Sequence, residues 1–255
     1  AGAMPQTGLN ARQMLEVPRK AYVLLGAEPL LDCADGAAAK AALEKAASVI
    51  HLGSFVGEAA AYADAMLPIS PFAETSGSFV NAEGRVQSFE AVVPPLGETR
   101  PAWRVLRVLG NLFDLEGFEF ESSAAVRDAA LSGNVQARLS NAVSGFAPHL
   151  DASVAGLQRV ADVPIHFADP LVRRATALQK TRDAAPPLAW IHPETLKALG
   201  IESGETVSLR SAQGEVKIAC KADVLVAQGC VRLSTAHAST AALGGLFSEL
   251  VVERA

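Results

Sequence analysis

The stretch KAYVLLGAEPLLDCADGAAAKAALEKAASVIHLGSF, residues 20–55, decides the fold class of the first half of the chain. It starts with a short apolar run that ends at Gly26 and finishes with a second short run containing β-branched residues, a pattern typical of buried strands. An Ala-rich segment of high helix propensity lies between them, and Asp35 is placed to act as its N-cap. Strand, helix and strand at this spacing predict a parallel βαβ unit. We therefore expect an α/β domain over residues 1–150.

The last part of the chain has a different pattern. HPETLKALG predicts a short helix with Pro193 at its first position and Gly200 as its stop. TVSLRS and GEVKIACKA then alternate apolar and polar residues around AQG, which predicts a β-hairpin. Further short strands follow, so residues 188–255 are expected to form a small β-barrel. The preceding polar stretch ends in DAAPP, and we expect residues 151–187 to be a linker.

Composition excludes several classes of function. The net charge is −5, and aromatic residues make up 5% of the chain, which disfavours nucleic acid and anionic membranes as partners. No apolar run is long enough to insert directly into a bilayer. The three cysteines, Cys33, Cys220 and Cys230, are too few for an iron–sulfur cluster, and we expect them to be core residues.

Motifs for common cofactors and mechanisms are absent from the sequence. There is no GxGxxG, no GxxxxGK[ST], no HExxH and no GxSxG. The five histidines are scattered, so no metal site is predicted. His192 is expected to help the turn into the helix at Pro193, with a ligand contact as the alternative. The first residue is not Met, and we expect the chain to be a piece of a longer protein.

The segment FAETSGSFVNAEGRVQSF, Phe72–Phe89, has more than one interpretation. In a catalytic loop, Glu74 and Glu83 would be acid–base groups tuned by Arg85. In a structured turn, Arg85 would pair with a Glu, Asn81 would satisfy loop backbone, and the glycines would supply positive φ or close packing. The residues alone favour the structured turn.

These residues also carry a resemblance. YADAMLPISPFAETSGSFVNAEGRVQ, residues 62–87, closely resembles a stretch of the molybdopterin-type oxidoreductases. KAYVLLGAEP is similar to that family's strand and G-x-N-P turn, with Glu28 standing where the family often has Asn. Residues 191–231 resemble its C-terminal double-psi β-barrel, which helps to hold the guanine-dinucleotide pterin. The resemblance implies an α/β half followed by that barrel.

Within the family, residues 88–113 and 18–33 are similar to the branch formed by the large iron–sulfur subunit of bacterial NADH:quinone oxidoreductase (respiratory complex I). That branch implies iron–sulfur clusters (4Fe-4S and 2Fe-2S) in an N-terminal part and none in this segment. It also implies the peripheral-arm subunits of complex I as partners, and a peripheral location on the cytoplasmic side of the bacterial inner membrane.

The resemblance leads to an expectation about the site. Catalytic members of the family place their metal ligand upstream of these motifs, and they follow the His-rich turn of the barrel with an Asn. STAHASTAALGGLFSELVVERA lacks that Asn-containing string. We therefore expect a scaffold segment with no catalytic residue, no metal ligand and a vestigial pterin pocket. The candidates for that pocket are Glu74, Asn81, Glu83, Arg85, Gln87 and His237. The alternative is the cofactor-binding part of a molybdenum enzyme such as formate dehydrogenase or nitrate reductase.

Overall fold

The computed structural model describes residues 8–133 and 156–255, which divide between two compact units. The first unit includes residues 22–26 and 48–133, and the second includes residues 11–21, 27–47 and 156–255. The helices of the described residues are α1 (Ala11–Glu16), α2 (Pro29–Asp32), α3 (Gly36–Glu44), α4 (Ala102–Leu112), α5 (Ser123–Ala130) and α6 (Pro193–Ala198).

The strands are β1 (Ala21–Leu25), β2 (Ser48–Gly53), β3 (Ala65–Pro68), β4 (Gly77–Val80), β5 (Val86–Phe89), β6 (Leu157–Val160), β7 (Ala189–Ile191), β8 (Thr206–Arg210), β9 (Glu215–Ala222), β10 (Cys230–Arg232) and β11 (Glu249–Arg254). Short 3₁₀ turns connect several of them, at Gly57–Ala61, Phe72–Glu74, Ile165–Phe167, Val172–Arg174, Leu178–Lys180, Arg182–Ala184 and Ala241–Leu243.

The first unit is built on a three-stranded sheet in the order β1-β2-β3. β2 and β3 run parallel, with His51 opposite Met66. Val49 and Leu52 of β2 are buried, as expected for a central strand between two neighbours. The predicted strands of residues 20–55 are confirmed. The hairpin β4–β5 forms a separate two-stranded sheet in this unit.

The second unit contains a closed six-stranded barrel in the order β10-β6-β11-β8-β9-β7. β6 pairs with β10 in parallel and β7 pairs with β9 in parallel, whereas the other neighbours are antiparallel. The predicted hairpin is β8–β9, in which Leu209 lies opposite Val216. The small β-barrel expected from the sequence is confirmed. Its core consists of Ala189, Ile191, Leu196, Ile201, Val207, Leu209, Ile218, Cys220, Val231, Leu233, Leu243, Leu250 and Val252.

One barrel strand falls inside the range expected to be a linker. β6 lies between β10 and β11 and closes the barrel. Four residues are too few to show a strand periodicity, so the sequence pattern does not identify them. The remainder of that range that the structure describes includes four short 3₁₀ turns of the second unit.

The capping and stop residues predicted from the sequence lie at the ends of two helices. Asp35 accepts a hydrogen bond from the Ala38 N–H at 2.9 Å and caps α3, as predicted. His192 caps α6, since its Nδ1 accepts from the Glu194 N–H at 3.1 Å. Gly200 follows that helix with φ +67°. Among the described residues, no helix has the length and apolar character needed to cross a membrane.

Candidate functional site

The segment Phe72–Phe89 forms the hairpin β4–β5 with a short turn before it. At the tip, Asn81 Oδ1 accepts hydrogen bonds from the backbone N–H groups of Glu83 (3.0 Å) and Arg85 (2.9 Å). Gly84 follows with φ +80°, and Arg85 lies 3.7 Å from the Glu83 carboxylate. The structural roles predicted for Asn81, Arg85 and the glycine are therefore confirmed.

Glu74 serves a different part of the same segment. Its Oε2 accepts from the Leu96 N–H at 3.0 Å and from the Thr99 hydroxyl at 3.4 Å, and these contacts hold the following loop. Gly77 is required for close packing, because a Cβ there would lie 2.8 Å from the ring of Phe89. The two carboxylates thus bind different neighbours, and neither is buried beside a proton-transfer partner.

Gln87 lies opposite Phe79 in the hairpin and is exposed. The ring of Phe79 stacks on that of Phe89, with centroids 5.4 Å apart. The candidates at the tip of the hairpin and on β5 therefore lie on an exposed arm.

His237 lies in the turn after β10, in the second unit. Its Nδ1 accepts from the Ser239 N–H at 3.1 Å and is 2.8 Å from the Ser239 hydroxyl. Burial against the edge of the Phe167 ring lowers the pKa of His237, so the imidazole is neutral at pH 7. Ala236, the preceding residue, has φ +56°, a conformation that costs an alanine free energy.

Arg159 of β6 is a buried charged residue near the candidate segment that the sequence did not reveal. It is fully buried, and its guanidinium donates to the carbonyl oxygens of Gly244 (3.0 Å), Gly245 (3.3 Å) and Ser234 (3.3 Å). Burial lowers the pKa of Arg159, although a guanidinium stays protonated at neutral pH. Arg159 thus links Ser234 to Gly244 and Gly245. These residues are the two ends of the segment in which the family resemblance places pterin contacts, so Arg159 stabilises the conformation of that segment.

A buried charge cluster lies at the turn after β1. Glu28 is 5% exposed, and its carboxylate accepts hydrogen bonds from Arg173 at 2.9 Å and from Arg174. Arg173 also pairs with Asp32 at 2.5 Å. Burial alone would raise the pKa of Glu28, but the hydrogen bonds from Arg174 and Arg173 outweigh burial and lower it. We call these four residues the Glu28 cluster.

A cleft of about 560 Å³ in the second unit adjoins the Glu28 cluster through Asp32. Its charged lining comprises Arg12, Glu16, Asp32 and Asp35. Arg12 is paired with Glu16 at 2.7 Å and Asp32 is paired with Arg173 at 2.5 Å, so two of the three carboxylates are already neutralised. Among the described residues, no group of three or more His, Cys, Asp or Glu side chains is arranged to hold a metal ion.

Two family models match this chain. The model for molybdopterin oxidoreductase matches residues 3–112, and the model for the molydopterin dinucleotide binding domain matches residues 171–253. Residues 3–112 and 171–253 are thus similar to domains of the molybdopterin oxidoreductase family. The resemblance found in the sequence is confirmed at this level.

Two relatives are similar to this chain in sequence, and one solved structure is similar to it in fold. The NADPH-Fe(3+) oxidoreductase subunit alpha of Geobacter sulfurreducens is 32% identical over 216 residues, which is 78% of this chain and 25% of that protein. A putative formate dehydrogenase of Staphylococcus aureus is 36% identical over 72 residues, 28% of this chain and 7% of that protein. The acetylene hydratase of Pelobacter acetylenicus shares the fold, with a TM-score of 0.61, 18% identity, and coverage of 92% of this chain and 44% of that one.

The chain therefore spans a quarter or less of the length of these two relatives. Neither is named as a subunit of complex I, so the finer resemblance to that complex is still a proposal. The dinucleotide-binding model points to a molybdenum cofactor at the level of the family, against the expectation of none in this segment.

The residues of the Glu28 cluster satisfy one another's charges. The position at which the family often has a neutral Asn carries a buried carboxylate, and two arginines of the same chain already engage it. Arg173 is 7% exposed and bound to two carboxylates. A ligand that took a partner from this buried ion-pair cluster would have to break it, which costs several kcal/mol.

Proposed function

We propose that this chain is the C-terminal scaffold segment of a large electron-transfer subunit of the NADH:quinone oxidoreductase type, with no redox centre of its own. The observation that carries the proposal is the Glu28 cluster, in which the protein supplies its own counter-ions to a carboxylate at the turn where the family often has a neutral Asn. The segment would keep the fold of the family and support electron transfer from NADH to quinone in the assembled complex.

The similarity to the Geobacter sulfurreducens protein is compatible with this choice, although the comparisons taken together favour the second candidate described below. That match covers 78% of the chain, whereas the match to the putative formate dehydrogenase covers 28%. The first relative is named as an NADPH-dependent oxidoreductase subunit, which is the kind of pyridine-nucleotide-linked electron transfer that we propose. In this proposal, iron–sulfur clusters lie in a part of the subunit upstream of this segment, and the peripheral-arm subunits of complex I are its partners.

A second candidate is the cofactor-binding part of a molybdenum-dependent oxidoreductase such as a formate dehydrogenase or nitrate reductase. The match of residues 171–253 to the dinucleotide binding domain and the match to a putative formate dehydrogenase favour it. In that case the barrel and the segment held by Arg159 would face the pterin.

Metal analysis of the full-length subunit, purified in its native complex, separates the two candidates. We expect stoichiometric iron and neither molybdenum nor tungsten above background, together with NADH oxidation by the complex. A molybdenum formate dehydrogenase purified in the same way serves as the control for metal loss. Stoichiometric molybdenum or tungsten, with formate or nitrate turnover, would refute the scaffold proposal in favour of the second candidate.

A further inference from the structure

The C-terminal end of α4, in the first unit, exposes a group of large apolar side chains. Val108 and Leu112 lie one turn apart on the same face of the helix, and Phe113 and Leu115 follow directly after it. Each of these four side chains is more than half exposed. We call these four residues the α4 patch. Monomeric proteins rarely expose contiguous apolar patches larger than about a few hundred Å², and such patches mark interaction sites.

The turn after α4 keeps the patch exposed. The Leu115 N–H donates to the Gly110 carbonyl at 3.0 Å, and the Asp114 N–H donates to the Asn111 carbonyl at 3.1 Å, which is the Schellman pattern of a helix end. In that pattern the residue at the position of Leu115 usually packs back on the helix. Here the ring of Phe118 covers the helix instead, since a Cβ at Gly110 would lie 2.2 Å from it. The patch is therefore a built feature of the turn and not a frayed helix end.

The surroundings of the α4 patch are acidic. Within residues 8–133 and 156–255, the following four exposed carboxylates have no ion-pair partner: Asp114, Glu116, Glu119 and Glu121. Residues 108–126 contain no Lys or Arg, and the C-terminal end of the α4 dipole adds negative partial charge. The basic residues of α4, Arg104 and Arg107, precede the patch, and Arg104 stacks over Trp103 at 5.2 Å. The surface thus combines an apolar centre with an unpaired negative border.

We propose that the α4 patch docks a basic amphipathic helix of a separate protein. The apolar face of that helix packs on Leu112 and its neighbours in the patch, and its Lys and Arg side chains meet the four carboxylates. Amphipathic helices bind apolar surfaces through residues spaced three and four apart, and opposite charges speed their association.

The charged border also indicates a separate partner rather than another segment of the same protein. A permanently covered surface resembles the apolar core of a domain, whereas an apolar centre with a polar rim is typical of a non-obligate interface. The inference is independent of which of the two candidate functions is correct.

The test uses the 255-residue chain and a fluorescent probe peptide. The probe is a helix of about 15 residues, made of Leu at the i, i+3, i+4 and i+7 positions and Lys elsewhere. A peptide with the same Leu pattern and Glu in place of Lys is its matched control. Fluorescence anisotropy measures binding, and hydrogen exchange of the unmodified chain shows which backbone amides the probe protects.

Two pairs of variants separate the apolar centre from the charged border. Leu112→Ser with Leu115→Ser removes apolar surface from the patch, and Leu225→Ser, at an exposed position of the second unit, is the control. Glu116→Gln with Glu119→Gln removes two border charges. Its control is Glu194→Gln with Glu202→Gln, which removes two exposed charges from the second unit and leaves the same net charge.

We expect saturable binding of the Leu–Lys peptide with protection confined to residues 108–121. The double Ser variant should weaken binding about tenfold or more, the Gln variant of the border should weaken it about fivefold, and both controls should leave it unchanged. Equal binding of the Leu–Glu peptide, equal losses in the controls, protection elsewhere or no saturable binding would each overturn the proposal. Hydrogen exchange of the unmodified chain decides the matter if a variant does not fold.

The same assay identifies the other occupants of the surface. Sedimentation of the unmodified chain should give a monomer. A dimer that the double Ser variant dissociates would show that a second copy covers the patch, and this result would overturn the proposal. The full-length subunit, expressed without its complex, should bind the probe as the 255-residue chain does. Loss of binding in the full-length subunit would show that another segment of the same protein covers the patch, which would also overturn it.

Discussion

Replacement of Glu28 by Gln removes one negative charge from a buried cluster of two carboxylates and two guanidiniums. The side chain of Glu28 is 6% exposed and that of Arg173 is 7% exposed, so water compensates little for the lost charge. Removing one partner of a buried ion pair costs about 3–5 kcal/mol. We expect about 3 kcal/mol for Glu28→Gln, because Asp32 still pairs with Arg173 at 2.5 Å and Arg174 is one-third exposed.

Urea unfolding monitored by fluorescence measures this loss. The chain has two tryptophans; in a Trp103→Phe background, Trp190 reports on the second unit alone. Glu253→Gln is the matched control, since Glu253 lies 3.7 Å from Arg210 with both side chains more than half exposed, and such pairs contribute about 0–1 kcal/mol. A loss for Glu28→Gln no larger than that of the control would refute the argument that the cluster is a buried, self-satisfied unit.

The effect of Glu28→Gln on the unfolding free energy should also depend on pH. The pKa of folded Glu28 lies below the ordinary value of 4.5, so the cluster stabilises the folded state above pH 4.5. This contribution is lost as the pH falls through the folded-state pKa. The difference in unfolding free energy between the original chain and Glu28→Gln should therefore be constant from about pH 7 to 5 and shrink at lower pH. A difference that grew on acidification would contradict the sign of the shift.

Three further outcomes follow from contacts in the folded chain. Arg159→Met should lower the unfolding free energy by about 3 kcal/mol or more, since it leaves three carbonyl oxygens without their donor. Urea unfolding measures this loss. A loss below about 1 kcal/mol would contradict a stabilising role for these three buried hydrogen bonds. Gly53→Ala should lower the unfolding free energy by about 1–3 kcal/mol, because its Cβ would collide with the His51 ring. Gly245→Ala, with nothing within 4 Å of its Cβ, should change the unfolding free energy little. The double variant Gly53→Ala with His51→Ala should recover part of the loss. Burial raises the pKa of Cys220, so this thiol should react with Ellman's reagent only on unfolding, and rapid labelling of Cys220 in the folded chain would contradict its burial.

Local chemistry allowed the helix caps and turns to be predicted from the sequence. Asp35, His192 and Asn81 each bond backbone groups within four residues of themselves, so short-range rules are sufficient. The hairpin β8–β9 was predictable for the same reason, since its strands alternate strictly around a short turn.

The contacts that the sequence did not predict are long-range. Glu28 meets Arg173 across 145 residues, and Arg159 meets Gly244 across 85. Charged residues are almost never fully buried without a partner, and nothing in the local pattern identifies a partner so distant in sequence. The four residues of β6 were missed because their neighbours, and not their own periodicity, make them a strand.

The closed barrel has a consequence for the order of events during folding. β11, the last strand of the described residues, pairs with both β6 and β8, so during synthesis the barrel stays open until residues 249–254 have left the ribosome. Until then both neighbouring strands have open edges, which are prone to pairing with other chains. Because closure joins segments about 90 residues apart, such as Leu157 and Leu250, loop entropy delays it further. A chain truncated just before residue 249 should therefore aggregate more readily than the full 255-residue chain.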